Sequence, residues 1–393
     1  MTDEWIPALG RYAQRLHTTA GARHHVASPL GAWLLLALTA SAEPAGDELA
    51  EVLGVRPAEA ASVASALLTK PHPLVAAATA VWHAEGRVDP RRLEGWRAGL
   101  PAATEVGPLP DQAALDRWAR EHTFGLIDRF PIELTPQVVL LLASALATRL
   151  SWDTPFEVGP AETLGGPWAS RLTRVLRTPR FGHRAFVATS RHAGEVIVHA
   201  APATDAESGA QVRVVSVAAA GDVPPDRVIA AAYEIGRDAV TGGPAAERTS
   251  LFDLPLGDGQ LWSIREKTAA MHDAEQVSAV LPAWSATSDH DLSAPELGFG
   301  AATRVLEQLV GFHCDFEAKQ AATARFGRYG FEAAAVTGFA TLTSMPEERP
   351  VRFAELRFAH PYAVVAVTDQ PGPWHGVPVF SAWVTEPEDE AAG

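Results

Sequence analysis

The residue pattern changes along the chain from helical to strand-like, and this change limits the possible folds. In the first third, apolar residues recur every three to four positions, as in Trp5 to His17 and Asp111 to Phe124, which predicts helices that bury one face. In the second half, segments such as Glu195 to Ala201 and Gln211 to Ala218 alternate, as half-buried strands do. Because no linker separates the halves, we predict one interleaved α+β domain over residues 1–393.

The composition is that of a soluble globular protein. The 393 residues are 47% hydrophobic and 20% charged, which excludes a largely disordered chain. The longest apolar run, Ala32 to Ala42, is shorter than the roughly 18 residues of a membrane-spanning helix, so we expect no membrane partner. Residues Met1 to Pro7 lack the basic start and apolar core of a secretory signal. We therefore expect a cytoplasmic protein, although the sequence leaves release by a non-classical route open.

Charge and cysteine content exclude further classes. The net charge of −15 argues against nucleic-acid partners, because affinity for phosphate backbones comes from clustered Lys and Arg. Cys314 is the single cysteine, so neither an intrachain disulfide nor a thiolate metal cluster is possible. We interpret Cys314 as a buried structural residue, although its neighbours in His313-Cys314-Asp315 are of catalytic type.

Common enzyme motifs are missing from the sequence. It contains no GxSxG elbow, no Walker loop and no HExxH pair. The 14 histidines are scattered rather than set at the spacing of metal ligands, and such residues usually belong to the core or the surface. We therefore predict no catalytic residues, no metal and no cofactor.

One apolar segment, Val138 to Leu150, is ambiguous by its own pattern. Periodicity does not separate a buried strand from a buried helix here, and length alone favours a helix.

A series of landmarks, each weak by itself, runs in order along nearly the whole chain. The landmarks are Val26-Ala-Ser28-Pro29-Leu30, Glu48 to Gly54, Trp118-Ala-Arg-Glu-His-Thr123-Phe-Gly125-Leu-Ile127, Ser144-Ala145, Trp152-Asp-Thr-Pro155-Phe156, Leu281-Pro282-Ala-Trp284 with Asp291-Leu292, Gly330 to Ala335, Phe358 to Tyr362, and Val379 to Val384. In this order they resemble the serpin family, and the chain is similar to a divergent, bacterial-type member. The resemblance implies that Val138 to Leu150 forms a central strand, against the preference from length.

The resemblance implies a fold and a mechanism. The fold is a single domain with three β-sheets, about eight or nine helices and an exposed reactive loop at about Arg328 to Glu355. A serine or cysteine protease would cleave the loop of a monomer near Ser344-Met345, and the cut loop would insert into the main sheet as a strand. The loop is longer than usual, so Arg349 is an alternative cleavage position.

The hinge and the gate are the parts of the chain on which this mechanism depends. The hinge, by resemblance, comprises Gly330, Phe331, Glu332, Ala333, Ala334 and Ala335. The gate, where the loop enters the sheet, comprises Ser28, Gly31, Ser144, Trp152 and Gln320.

Several of these residues depart from the family pattern. Family inhibitors have Thr or Ser where Phe331 stands, and usually Ser, Asn and His where this chain has Gly31, Ser144 and Gln320. These departures favour an alternative function, that of a non-inhibitory binding module or a scaffold recruited for small-molecule chemistry. The alanines at 333–335 and a hinge without proline favour inhibition.

Overall fold

The structure is a computed structural model that describes residues 4–42, 47–270, 273–331 and 348–390. Within these ranges it contains nine α-helices. They are α1 (Trp5–Ala20), α2 (Pro29–Ala40), α3 (Asp47–Leu53), α4 (Pro57–Thr69), α5 (Pro90–Gly99), α6 (Gln112–His122), α7 (Gly166–Ala169), α8 (Pro225–Thr241) and α9 (Phe299–Val310).

The strands of the described residues lie mostly after α6 in the sequence. They are β1 (His25–Ala27), β2 (Ala76–His83), β3 (Thr104–Pro108), β4 (Leu140–Ala147), β5 (Leu150–Ser151), β6 (Glu157–Pro160), β7 (Arg174–Arg177), β8 (Arg184–Ser190), β9 (Gly194–Thr204), β10 (Gln211–Ala219), β11 (Gly257–Asp258), β12 (Trp262–Ala270), β13 (Glu275–Leu281), β14 (Trp284–Asp291), β15 (Lys319–Phe326), β16 (Gly330–Phe331), β17 (Glu348–Arg357), β18 (Tyr362–Asp369) and β19 (Pro378–Val384).

Local sequence explains the helix that carries part of the gate. The Ser28 side chain accepts a hydrogen bond from the amide of Gly31 and so caps α2, while Pro29 occupies the first turn. Helix α2 is apolar all round and almost entirely buried, as its composition predicts. It packs against α1, α4, β4 and β19, so the end that carries Ser28 lies inside the molecule.

The first of three groups of strands, the central sheet, has the order β1-β19-β18-β10-β9-β8 with every pair antiparallel. Its side chains alternate between two faces. Val365 packs with α8 on one face, whereas its neighbour Val364 belongs to the main core on the other face. Both faces are therefore covered.

The second group, the mixed sheet, has the order β11-β12-β17-β13-β7-β6. Strand β17 lies inside this sheet, antiparallel to β12 and parallel to β13. The pairing with β12 runs from Trp262 opposite Leu356 to Ala270 opposite Glu348. The chain that follows residues 332–347 is thus hydrogen-bonded on both sides.

The third group, the split sheet, consists of β3-β2-β4 on one side and β14-β15 on the other. The short pair β5-β16 adjoins both parts. The ambiguous segment Val138 to Leu150 contributes β4, so the strand implied by resemblance is confirmed and the preference for a helix is wrong. The side chains of β4 alternate between partly and fully buried, because the strand packs between α6 and the main core.

Candidate functional site

A cleft separates the two parts of the split sheet. Among the described residues, β4 pairs with β2 alone and β15 with β14 alone, so the edges of β4 and β15 that face each other have no strand partner. Helix α6 and the start of α2 contribute further walls, and water can enter about 90 Å³ of the space. Unpaired strand edges are ready to accept hydrogen bonds from another strand.

The two edges run in the same direction. A hydrogen bond from the amide of Gly327 to the carbonyl of Gly330 (3.1 Å) reverses the chain after β15. Strand β16 then pairs antiparallel with β5, which continues β4, with Gly330 opposite Ser151 and Phe331 opposite Leu150. A strand that continued β16 would therefore be antiparallel to both walls of the cleft, which is the geometry of a closed sheet.

The faces of β4 differ in their surroundings. Leu141, Ala143 and Ala145 pack in a cluster with Trp118 of α6. Ser144 lies on the opposite face, where its hydroxyl donates to the carbonyl of Gly31 (2.8 Å). Because side chains alternate with a period of two, an added strand would place every second residue toward the main core.

Four of the predicted gate residues form one hydrogen-bonded group, which we call the gate cluster (Ser28, Gly31, Ser144 and Gln320). The amide oxygen of Gln320 accepts from the backbone N–H of Ser28 (2.9 Å), and its nitrogen donates to the carbonyl of Ser28 (2.8 Å). The Ser28 hydroxyl donates to the carbonyl of Val379 (2.9 Å). Despite the departures from the family pattern, these contacts join α2, β4 and β15 across the cleft.

Trp152 lies outside the gate cluster and holds the hinge turn (residues 327–330). Its indole N–H donates to the carbonyl of Gly327 and its backbone N–H to that of Tyr329, both over 3.0 Å. The amide of Phe156 donates to the carbonyl of Arg328 (2.9 Å). The segment between β5 and β6 therefore holds the turn at three carbonyls.

Stacked rings fix the end of β15 that leads into the hinge turn. The ring of Phe326 lies 5.3 Å from Trp152, 5.5 Å from Phe156 and 5.9 Å from Trp284, with which it is nearly parallel. Such aromatic contacts add to the stabilisation from burial, so they stabilise this end of the cleft.

Thr148, at the end of β4, has an unsatisfied polar group in the wall of the cleft. Its residue is only 3% exposed and its hydroxyl has no hydrogen-bond partner. Leaving a buried hydroxyl unpaired costs about 1–3 kcal/mol. A strand in the cleft would bring backbone donors and acceptors beside it.

Two histidines, the half-buried His183 and the buried His199, line the hinge end. The Nε2–H of His183 donates to the carbonyl of Thr154 (2.8 Å), so its Nδ1 accepts from Nε2 of His199 (3.1 Å). Burial lowers the pKa of His183 to about 4 and also lowers that of His199. Both rings pack on Phe156. Two neutral rings therefore support Phe156, whose amide donates to the carbonyl of Arg328.

Several predicted site residues lie outside the described residues. These are hinge residues Glu332, Ala333, Ala334 and Ala335 and the scissile pair Ser344-Met345. The predicted loop boundaries of 328 and 355 require correction, because residues 328–331 belong to the hinge turn and β16, and residues 348–355 to β17. Arg349 pairs with Ala269 within that ladder, so a protease would have to pull β17 from its sheet to bind there.

The interpretation of Cys314 as a buried structural residue needs revision. Cys314 is only half-buried, and burial together with nearby Glu307 and Asp315 raises its thiol pKa. A thiol with a raised pKa is a poor nucleophile. In the part of the chain that the structure describes, no group of three or more His, Cys, Asp or Glu residues is arranged to hold a metal ion.

Comparison with solved structures identifies the fold. The thermophilic serpin tengpin in its native state is 15% identical, with 98% of this chain and 95% of that chain covered and a TM-score of 0.64. An Arabidopsis serpin in its native stressed conformation is 16% identical, with 97% of each chain covered and a TM-score of 0.60. Human thyroxine-binding globulin complexed with thyroxine is 15% identical, with 98% of each chain covered and a TM-score of 0.60.

The chain therefore has the serpin fold, in a divergent form. No protein-family model and no curated protein matches its sequence. None of the described helices is both long and apolar enough to cross a membrane.

Proposed function

We propose that the chain is a suicide-substrate inhibitor of a serine or cysteine protease. The observation that carries this proposal is the cleft, in which two parallel strand edges face each other without partners and β16 already pairs with β5 at one end. One further strand would complete the hydrogen-bond ladders of both edges. The segment that follows β16 in the sequence is the natural source of that strand.

The chemistry begins as ordinary proteolysis. The nucleophile of the protease attacks the carbonyl carbon of Ser344, and the bond to Met345 breaks. Met345 leaves as a free amine with the proton, and Ser344 becomes the acyl group of an ester or thioester on the protease. Insertion of the freed segment then carries the acyl-enzyme away from its productive geometry before water hydrolyses it.

The register of β16 defines where the inserted residues would lie. Continued from Phe331 opposite Leu150, it sets Ala333 opposite Thr148 and Thr337 opposite Ser144. Side chains opposite one another in an antiparallel pair share a face, so these residues would point toward the main core. Small side chains fit that face without displacing the gate cluster.

Phe331 is the position that controls the rate of insertion, because family inhibitors have Thr or Ser there. Overpacking by a large ring costs about 1–3 kcal/mol. If this cost falls on the insertion step, insertion slows by roughly 5- to 150-fold. A slow inhibitor of this kind is partly consumed as a substrate.

Incubation with a panel of serine and cysteine proteases tests the proposal. We expect a covalent 1:1 adduct that survives SDS, alongside some cleaved protein. We also expect Phe331→Thr to increase the fraction trapped, whereas the control Phe181→Thr, at a residue 66% exposed on a turn, leaves it unchanged. Clean cleavage near Ser344 without an adduct in either the wild type or Phe331→Thr would contradict inhibition.

The second candidate is a non-inhibitory binding protein of the same fold. Phe331 at the first inward position of the hinge favours it, and thyroxine-binding globulin is a solved example of this fold bound to a small molecule. This candidate gains support if cleavage near Ser344 yields neither an adduct nor a change in thermal stability.

A further inference from the structure

The C-terminal tail (residues 385–390) runs from β19 to the hinge turn and is anchored along the way. The amide of Glu388 donates to the carbonyl of Ala283 (2.7 Å). One carboxylate oxygen of Asp389 accepts from the amides of Thr173 (2.6 Å) and Arg174 (2.9 Å) and from the Thr173 hydroxyl (3.0 Å). The course of the tail is therefore fixed before it reaches the turn.

The side chain of Glu390, the last described residue of the tail, contacts the hinge turn itself. It is only 8% exposed, and its Oε2 accepts a hydrogen bond from the backbone N–H of Arg328 (3.1 Å). A Cβ atom on Gly327 would lie 3.4 Å from the same oxygen, so the carboxylate lies directly against the backbone of the turn. A carboxylate is a strong acceptor for a backbone N–H.

This contact completes the hydrogen bonding of the turn. The bond from Gly327 to Gly330 closes the turn, and Trp152 and Phe156 donate to its carbonyls. None of these bonds uses the N–H of Arg328, for which Glu390 supplies the acceptor. Without it, a partly buried donor would lose its acceptor, which costs free energy.

We propose that Glu390 is a positioning residue for strand addition: its carboxylate holds the hinge turn in the shape from which β16, and then the inserted strand, begins. This inference rests on the proposed function. Loss of the carboxylate would release the turn, slow insertion, and let more of the acyl-enzyme hydrolyse.

Two measurements on the full chain test the proposal. Hydrogen exchange of the peptide that contains the Arg328 amide reports on the turn directly. The delay between loop cleavage and the resulting rise in thermal stability reports on insertion. We expect Glu390→Ala to exchange about tenfold faster at this amide and to lengthen the delay. Glu390→Gln, which keeps an acceptor oxygen, should restore both toward wild type, and the control Glu386→Gln, at an exposed residue of the same tail, should change neither.

Each contrary outcome has a distinct meaning. Unchanged exchange at Arg328 in Glu390→Ala, or a Glu390→Gln variant as impaired as Glu390→Ala, would overturn the positioning role. Absence of any stability rise after cleavage of the wild type would instead overturn the proposed function, and the exchange measurement would still decide whether Glu390 holds the turn.

Discussion

Nδ1 of His17 lies 2.6 Å from Nε2 of His25, and both side chains are buried. The hydrogen bonds of His25 determine which of the two nitrogens donates the proton. Nδ1 of His25 lies 2.8 Å from the carbonyl of Arg23 and must donate to it, so Nε2 of the neutral ring is an acceptor. His17 therefore donates from Nδ1 and accepts at Nε2.

Further hydrogen bonds extend from His17 to Ser381 and Tyr233. Nε2 of His17 accepts from the hydroxyl of Ser381 (2.7 Å), whose oxygen accepts from the phenol of Tyr233 (2.8 Å). His290 lies beside His25 and donates to the carbonyl of Val26 (2.7 Å). Strand β14 places His290 directly opposite Gln320 of the gate cluster. A proton added to Nε2 of His25 would set two N–H groups against each other next to the gate.

We expect stability to fall as the pH is lowered from about 6.5 to about 4. Burial lowers the pKa of His25 and of His183 to about 4 in the folded chain, against about 6.5 when unfolded. Between these values the unfolded chain binds more protons, so this stability is fully present above pH 6.5 and is lost as the pH falls. The loss is of the order of 3 kcal/mol per residue at the acid end. Urea unfolding at a series of pH values measures it.

Substitution of His183 tests whether this histidine causes part of the pH dependence. His183→Gln should flatten the slope, whereas Gln308→Ala, a change of an exposed residue of α9 that does not titrate, should leave it unchanged. A wild-type free energy of unfolding that is constant between pH 7 and pH 5 would show that these rings titrate normally.

Tyr233→Phe should lower the free energy of unfolding by about 1–2 kcal/mol, because it removes the donor to the Ser381 hydroxyl. Ser381→Ala and the double variant complete a cycle that isolates this bond. We expect a coupling energy of about 1 kcal/mol. Additive effects of the two substitutions would mean that the Tyr233–Ser381 contact does not stabilise the fold.

Gln320→Ala should weaken the gate. It removes both hydrogen bonds to the backbone of Ser28, which together stabilise the fold by about 1–3 kcal/mol. A synthetic peptide of residues 331–343 should then enter the cleft faster, as measured by the change in tryptophan fluorescence. The control Gln308→Ala, on the exposed face of α9, should behave as wild type, and equal rates for both variants would remove Gln320 from the gate.

Trp152→Phe keeps an aromatic ring against Phe326 but loses the indole N–H that bonds Gly327. We expect faster hydrogen exchange in the hinge turn and about 1 kcal/mol less stability. Trp96→Phe is the matched control, because its indole N–H bonds the carbonyl of Leu38 in another part of the core. If both variants change exchange in the turn equally, the effect is one of general stability.

Regular elements could be predicted where one physical signal dominated the sequence. The amphipathic pattern from Asp111 to Phe124 became α6, and the alternation from Gln211 to Ala218 became β10. Strand β12 has no such signal, because its centre, Arg265-Glu266-Lys267, is charged; its pairing with β17 makes this segment a strand.

Contacts between distant segments could not be predicted. The hydrogen bonds that link His25, His17, Ser381 and Tyr233 join β1, α1, β19 and α8. No local pattern predicts contacts between residues so far apart in sequence. The gate residues were found by resemblance, and their departures from the family pattern favoured a non-inhibitory function. The long amide of Gln320 instead binds both backbone groups of Ser28, which only the three-dimensional arrangement reveals.

Thermal unfolding before and after cleavage of the loop tests strand addition most directly. Limited proteolysis near Ser344, confirmed by mass spectrometry, produces the cleaved chain. We expect its unfolding temperature to rise by about 10 °C or more, because the new strand pairs with both β4 and β15 and buries its small residues. An unchanged or lower unfolding temperature would mean that the cleft does not accept the strand, and it would contradict the proposed mechanism.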